Sequence, residues 1–257
     1  MLAIERKNEI LAKLRTEQRV LVSELSELYN VTEETIRRDL EKLEKEGYAT
    51  KTYGGAILGN STKTDLSYTI RNRTNVEAKR AIANLMDTLI EDGDHIMLDD
   101  SSTSLYIAKK IKEKKNITVI TNSVQIIIEL ADTEGWNIMS TGGRLKPESL
   151  DLVGHQAEEM IKNYHVDKAI ISCKGVNIEN GVTDSSEYHS LLKKAMLSAA
   201  RETYLVADSS KFGKTSFIKV EDLEDIDCIV TEKAPDAEWR EAFEKAQVKC
   251  IFPKGSK

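Results

Sequence analysis

Apolar residues recur at helical spacing through Ile4, Ile10, Leu11 and Leu14, then Val22, Leu25 and Leu28, then Ile36, Leu40 and Leu43. The spacing predicts helices over about 3–15, 22–29 and 33–46, each with one inward stripe. Tyr29-Asn30-Val31 is a tight connection between the second and third. Thr32 stands where an N-cap is wanted, and Glu33 and Glu34 suit the positive end of the third helix. Gly47 is a good left-handed residue to end it. Tyr48-Ala49-Thr50-Lys51-Thr52 and Ala56-Ile57-Leu58 predict a hairpin closed by the Gly54-Gly55 pair.

The pattern then changes. Gly59-Asn60-Ser61-Thr62-Lys63-Thr64-Asp65 is polar and small and reads as a linker. We assign 59–74 to the linker, between a domain at 1–58 and a domain at 75–257. In the second domain, helices are predicted near 75–91, 103–114, 123–131, 151–162, 187–200 and 236–246. Strands are predicted near 95–98, 117–120, 137–140, 168–172, 203–207, 227–230 and 248–252. Short apolar strands alternating with longer helices predict an α/β fold with a mostly parallel, doubly covered sheet. Sheets of this kind bind ligands outside the carboxyl ends of their strands.

Composition narrows the function classes. Among 257 residues, 37 Lys+Arg face 43 Asp+Glu, for a net charge of -6. That balance argues against a protein that coats nucleic acid non-specifically, but not against a small DNA-reading module. No apolar run approaches the ~20 residues of a spanning helix. Charges near Met1 are unlike a signal peptide, so a cytoplasmic, non-membrane protein is expected. Cys173, Cys228 and Cys250 are too few and too scattered for a disulfide framework.

Two regions carry candidate chemistry. On the third helix, Ile36, Leu40 and Leu43 face the core, so Arg38 points away with Thr35 and Arg37 beside it. A helix pair with a short turn and outward arginines is a helix-turn-helix arrangement, whose second helix can enter a major groove. The competing reading is a solvated face with Glu–Lys pairs. Residues 1–58 hold 10 Lys+Arg and 11 Asp+Glu, so net charge does not decide. In the second domain, four polar loops follow predicted strands: Asp99-Asp100-Ser101-Ser102-Thr103-Ser104, Thr121-Asn122-Ser123, Thr141-Gly142-Gly143-Arg144 and Asp208-Ser209-Ser210-Lys211-Phe212-Gly213. Hydroxyls and free N–H groups at helix N-termini suit a phosphate, and N-capping is the plainer use of each loop alone. A parallel sheet would bring all four to one edge.

The string Val31-Thr32-Glu33-Glu34-Thr35-Ile36-Arg37-Arg38-Asp39-Leu40, with Leu43 and Gly47, resembles the signature of the DeoR family of bacterial transcriptional regulators. Tyr53-Gly54-Gly55-Ala56 after Lys51 is similar to that family's wing, although His is common where Tyr53 stands. The resemblance covers the first domain and most of the second. It implies a winged helix-turn-helix joined to a Rossmann-like α/β sensor domain similar to ribose-5-phosphate isomerase. It also implies a regulator of a carbohydrate-metabolism operon, acting as a repressor on double-stranded operator DNA and answering to a phosphorylated sugar or related metabolite. A homodimer or homotetramer is expected. Thr32, Glu34, Thr35, Arg37, Arg38, Lys51 and Tyr53 are the expected DNA contacts. Ser101, Ser102, Thr103, Thr121, Asn122, Gly142, Gly143, Arg144, Lys174, Asp184 and Lys211 are the expected effector contacts. Ser101 and Ser102 depart from the family's usual Gly-Thr in the first loop but keep it rich in hydroxyls.

The alternative is a sugar-phosphate isomerase-like enzyme with an accessory N-terminal domain. Isomerisation needs a base to move a proton between adjacent carbons. The related isomerase carries carboxylates where this chain has Cys173-Lys174-Gly175-Val176-Asn177, so no catalytic residue is assigned. Asp184 and Glu187 are the nearest replacements. His95, His155, His165 and His189 lack metal-ligand spacing, and no P-loop or dinucleotide fingerprint is present. Neither a metal nor a cofactor is expected. Cys173 reads as a buried structural thiol.

Overall fold

A computed structural model of the chain describes residues 3–17, 19–45, 48–58 and 68–253. It forms two compact units, Met1–Ser67 and Tyr68–Lys257. The first contains helix α1 (Ala3–Glu17), strand β1 (Arg19–Leu21), helices α2 (Val22–Tyr29) and α3 (Glu33–Lys45), and strands β2 (Ala49–Thr52) and β3 (Gly55–Leu58). β3 lies between β1 and β2, antiparallel to both. Three residues are too few to show an alternating pattern, so the sequence did not reveal β1. Its closeness explains Gly55: a Cβ there would lie 2.0 Å from the Val20 carbonyl oxygen.

Ile10, Leu14, Val22, Leu25, Ile36, Leu40 and Leu43 form the core of this unit. Two expected members do not. Ile4, in the first turn of α1, and Leu28 are exposed. On α2 the inward face comprises 22, 25, 26 and 29, so Tyr29 rather than Leu28 closes the stripe. Asn30 takes the left-handed conformation that ends α2 (φ 50°). The Gly47 cap and the first part of the expected linker, 59–67, lie outside the described residues.

The second unit begins with helices α4 (Tyr68–Arg73) and α5 (Val76–Asp87). α4 falls inside the stretch expected to be linker. It is fixed from both sides: the Lys79 ammonium donates to the Arg71 and Thr74 carbonyls, and the Tyr106 hydroxyl donates to the Asn72 carbonyl (3.2 Å). There follow strand β4 (His95–Leu98), helix α6 (Ser102–Lys110), strand β5 (Thr118–Thr121), helix α7 (Val124–Leu130) and strands β6 (Asn137–Ser140), β7 (Arg144–Lys146) and β8 (Asp151–Val153). Next come α8 (His155–Lys162), β9 (Val166–Ile171), β10 (Gly175–Asn177), β11 (Gly181–Asp184), α9 (Glu187–Ser198) and β12 (Ala200–Val206). The chain ends with β13 (Ile218–Glu221), β14 (Cys228–Val230), α10 (Ala237–Ala246) and β15 (Lys249–Ile251).

Seven of these strands form one sheet in the order β15-β14-β12-β9-β4-β5-β6, with every pairing parallel. Side chains alternate across it. Ile96, Leu98, Ile170 and Val206 join one core with residues of α5, α6 and α7, whereas Met97, Ala169, Ile171 and Leu205 join another with residues of α8, α9 and α10. The predicted helix over 151–162 is shorter than expected, because Asp151–Val153 pairs antiparallel with Arg144–Lys146 and the helix starts at His155. β10, β11 and β13 form a small antiparallel sheet that the sequence reading missed.

In the first unit, α1 is tied to α3 by a buried ion pair, Arg6 Nε to Asp39 Oδ2 at 2.6 Å. Breaking one side of such a pair costs roughly 3–5 kcal/mol, whereas an apolar replacement of both sides is often near neutral. Arg6→Ala is therefore expected to lower the urea midpoint of the circular-dichroism transition, and Arg6→Met with Asp39→Leu to recover most of the loss. Both tryptophans, Trp136 and Trp239, lie in the second unit, so the fluorescence transition should stay in place.

Candidate functional site: strand-end edge and recognition helix

In a parallel sheet all carboxyl ends lie on one edge, and the polar loops follow β4, β5, β6, β9 and β12 there. The strand order reverses between β4 and β9, the position where open α/β sheets leave a crevice. Asp99 sits at that reversal. Its carboxylate accepts hydrogen bonds from the Ser101 amide (3.1 Å), the Ser104 hydroxyl (2.6 Å) and, across the crevice, the Ser172 amide (2.8 Å). Ser101 is the N-cap of α6, accepting from the Ser104 amide at 3.0 Å. The first-turn N–H groups of Ser102 and Thr103 are then the ones the helix itself does not use.

Lys193, on α9, lies behind this loop. Its ammonium pairs with Asp184 and lies 3.5 Å from Asp99. Asp100 pairs with Arg71 at 3.3 Å, and His189 Nε2 lies 3.0 Å from Asp151 Oδ2. Burial alone would raise the Asp100 and Asp184 carboxyls. The charges of His189, Arg71, Lys193 and Lys174 around Asp100, and of Lys193, Lys174 and His189 around Asp184, outweigh it and hold both below the ordinary carboxylate range. Burial lowers His189 and Lys193, but the surrounding aspartates raise both above their ordinary values. The Cys173 thiol is pushed up to about 12, chiefly by burial. It is therefore protonated and poorly nucleophilic at neutral pH.

On α3, Ile36, Leu40 and Leu43 are buried while Arg37 and Arg38 are exposed. Thr32 caps the helix, with its hydroxyl 3.3 Å from the Thr35 amide and 2.9 Å from the Thr35 hydroxyl. Arg37 reaches Glu33 (2.7 Å) and Arg38 reaches Glu34 (3.3 Å), while the Glu–Lys pairing of the competing reading is present at Glu41 and Lys45 (3.6 Å). Such exposed pairs contribute only about 0.3–0.5 kcal/mol, little hindrance to a guanidinium that meets a phosphate or base. Lys51 faces Glu44 at 3.4 Å. Tyr53 stands fully exposed at the two-residue wing turn, where Gly54 takes φ +86°.

Two family models match: the DeoR-like helix-turn-helix domain over residues 6–62 and the DeoR C terminal sensor domain over residues 74–233. The chain belongs to the DeoR family. It is a transcriptional regulator with a helix-turn-helix domain and an α/β sensor domain. The HTH-type transcriptional regulator YulB of Bacillus subtilis (strain 168) is 41% identical to this DeoR chain over 249 residues, 97% of this chain and 96% of the relative. A putative aga operon transcriptional repressor of Escherichia coli O157:H7 is 33% identical over 250 residues, 96% of this chain and 93% of that one. Ribose 5-phosphate isomerase A from Methanocaldococcus jannaschii is 17% identical with a TM-score of 0.40, covering 54% of this chain and 55% of that one. Among the described residues no helix is long and apolar enough to cross a membrane.

The DeoR sensor domain gathers some of the expected effector residues and commits others elsewhere. Ser102 and Thr103 open α6 at the edge, and Lys174 follows β9. Lys211 lies close enough for its charge to act on Cys173 in the β9 loop. Thr121 is spent locally, accepting from the Ser123 amide (3.1 Å), and Asn122 brackets Leu152 with its carbonyl and side-chain amide. Gly142 (φ +65°) and Gly143 (φ +102°) form the turn before β7, and a Cβ on Gly143 would come within 2.7 Å of the Val153 carbonyl oxygen. Arg144 lies over the Tyr188 ring, 5.3 Å from its centroid. Asp184 pairs with Lys193 and accepts from the Ser185 amide (2.7 Å). Lys193 and Asp151 escaped the sequence reading, and His189 was set aside there because its spacing suits no metal. Lys193 was the findable one: it interrupts an apolar helical face at position 193, between Leu192 and Met196.

Lys193→Ala leaves Asp99 and Asp184 buried without that cation. It is expected to destabilise the sensor domain by roughly 3–5 kcal/mol, read as a lower urea midpoint by tryptophan fluorescence. The folded pKa values of Asp100 and Asp184 lie below their unfolded ones. Their contribution is therefore present above an unfolded pKa of about 3.9 and lost as pH falls below it. The wild-type midpoint should drop through that acid window, and the Lys193→Ala midpoint should drop less.

Proposed function

We propose that this chain represses a carbohydrate-metabolism operon in the cytoplasm. It binds operator DNA as a homodimer or homotetramer and lets go when a phosphorylated sugar occupies the strand-end edge of the sensor domain. The observation that carries the reading is that the helix-terminal donors of Ser102 and Thr103 and the loops carrying Lys174 and Lys211 all stand at the carboxyl ends of strands of one parallel sheet. Anion binding needs that combination. The naming of a relative as a repressor of the aga operon supports the choice of operon class. A symmetric oligomer is favoured because one small module with no net positive charge offers few phosphate contacts, and two modules read paired half-sites.

A regulator fits better than an isomerase. The segment Cys173-Lys174-Gly175-Val176-Asn177 offers no carboxylate, and the nearby Asp184 is neutralised by Lys193. A base held in that pair is poorly placed to take a proton from a sugar carbon. Turnover of a panel of aldose and ketose phosphates by the purified chain would overturn this reading.

Arg37→Ala with Arg38→Ala should keep the fold and abolish specific operator binding. A good bidentate base contact supplies ~1–3 kcal/mol of discrimination. Fluorescence anisotropy with duplexes from upstream of the regulated genes reads this directly, and near-wild-type specific affinity in a folded double variant contradicts the role of α3.

Lys211→Ala tests the other end. A charge-assisted contact contributes roughly 1.5–3 kcal/mol, so its loss should weaken effector-driven release about ten- to hundredfold. Operator affinity without effector should stay unchanged. Release at the wild-type sugar-phosphate concentration would place the phosphate elsewhere.

A further inference from the structure

Most buried carboxylates at the sensor edge have a cation or a set of donors. Asp99 has two amides, a hydroxyl and the nearby Lys193; Asp184 has Lys193; Asp100 has Arg71. Asp151 differs. It is 0% exposed, and neither of its oxygens has a hydrogen-bond partner among the described residues. Its Oδ2 faces His189 Nε2 at 3.0 Å, and that imidazole is shared with Asp100 and Asp184. A fully buried carboxylate left this way costs several kcal/mol unless something positive meets it.

We propose that Asp100, Asp151 and His189 bind a divalent transition-metal ion of the manganese-to-zinc series. Each offers one ligand atom, and these atoms all lie within 4.8 Å of one another. Bonds of about 2.1 Å place ligands at right angles about 3.0 Å apart and opposite ligands about 4.2 Å apart. The Asp151–His189 separation of 3.0 Å equals the first of these. One imidazole and two carboxylates select an ion that accepts both nitrogen and oxygen, rather than magnesium or calcium. Three protein ligands leave at least one position for water or a ligand oxygen.

The three residues come from the loop after β4, the start of β8 and the first turn of α9. Their separation along the chain is why histidine spacing gave no hint of a metal. Asp99, Asp100, Asp151 and Asp184 are all buried, and the cations acting on them are His189, Arg71, Lys193 and Lys174. A bound ion takes the place of the imidazole's proton in that balance. The site does not depend on which effector the sensor recognises, because the ion binds the protein alone.

The test uses the full chain, stripped with chelator and titrated with Co2+ at about pH 7.5, where the imidazole can ligate. We expect one Co2+ per chain with a Kd below about 10 μM, a visible absorption band, and a melting temperature that rises with ion concentration. Zn2+ should displace Co2+ and a roughly hundredfold excess of Mg2+ should not. Losing an outer-shell partner already costs 10–100-fold in metal affinity, so Asp151→Asn and His189→Gln should each lose at least about a hundredfold. Circular dichroism checks that each variant folds; if one does not, the other decides. Failure of the wild-type chain to bind Co2+, displacement by Mg2+, or undiminished binding in a folded variant overturns the proposal. In the first case Asp151 is met by a proton on His189 instead.

Discussion

The Asp99 carboxylate is the constraint on which the sensor edge depends. β4 and β9 are parallel neighbours whose following helices pack on opposite faces of the sheet, and one acidic group bridges the gap by accepting from Ser101 and Ser104 on one side and Ser172 on the other. A carboxylate is suited to this because it accepts several donors at once. Burying it is costly, and the cost is offset by those donors and by the Lys193 ammonium. Because Lys193 also holds Asp184, the start of α6, the end of β11 and the body of α9 share one charge. Shifting any of them means rearranging a fully buried network. The Ser102 and Thr103 N–H groups are therefore held in place, and a ligand meeting them there would incur little ordering cost.

The DNA-reading unit uses the same device at smaller scale. Asp39 lies on α3 only one residue from Arg38, yet it is buried against Arg6 of α1 while Arg38 is exposed. The apolar stripe alone would let α3 rotate about its axis at modest cost, since Ile36, Leu40 and Leu43 are similar in size. An ion pair at 2.6 Å does not tolerate that rotation, so it fixes the angle at which Arg37 and Arg38 leave the surface. Gly55 fixes the wing in the same way by steric means, because only a residue without Cβ lets β1 lie against β3.

Legibility in the sequence followed the range of the interactions. α2, α3 and the seven strands of the parallel sheet were readable because periodicity and capping are local, and they stand within a few residues of their predicted places. β1, β7, β8, β10, β11 and β13 were not, because each is short and is defined by an antiparallel partner outside the main sheet rather than by its own pattern. Leu28 misled because it is apolar and near the stripe, although the helix turns it outward. The loops were readable as polar strand ends, and a parallel sheet dictates that they share an edge. What each loop does was less readable. Nothing near position 39 announces a partner at position 6, and Asp184 looked available for a sugar because Lys193 is one helix away. Buried charges are the part of a site that sequence hides best, since each looks like an ordinary surface residue until its counter-charge is placed.

That contrast explains how charge is divided in the molecule. Arg37, Arg38 and Lys51 carry their acidic partners at the surface, with each pair weak and screened by salt. Lys193, Arg71 and Arg6 carry theirs in the interior, where removal of one partner costs several times more. The exposed guanidiniums can exchange a glutamate for a phosphate with little change in free energy, as reversible DNA binding requires. The buried cations cannot, so they hold shape. A regulator needs both kinds. An effector shifts DNA affinity by a coupling of only about 1–3 kcal/mol, and a sensor edge that deformed freely around the ligand would absorb that energy locally.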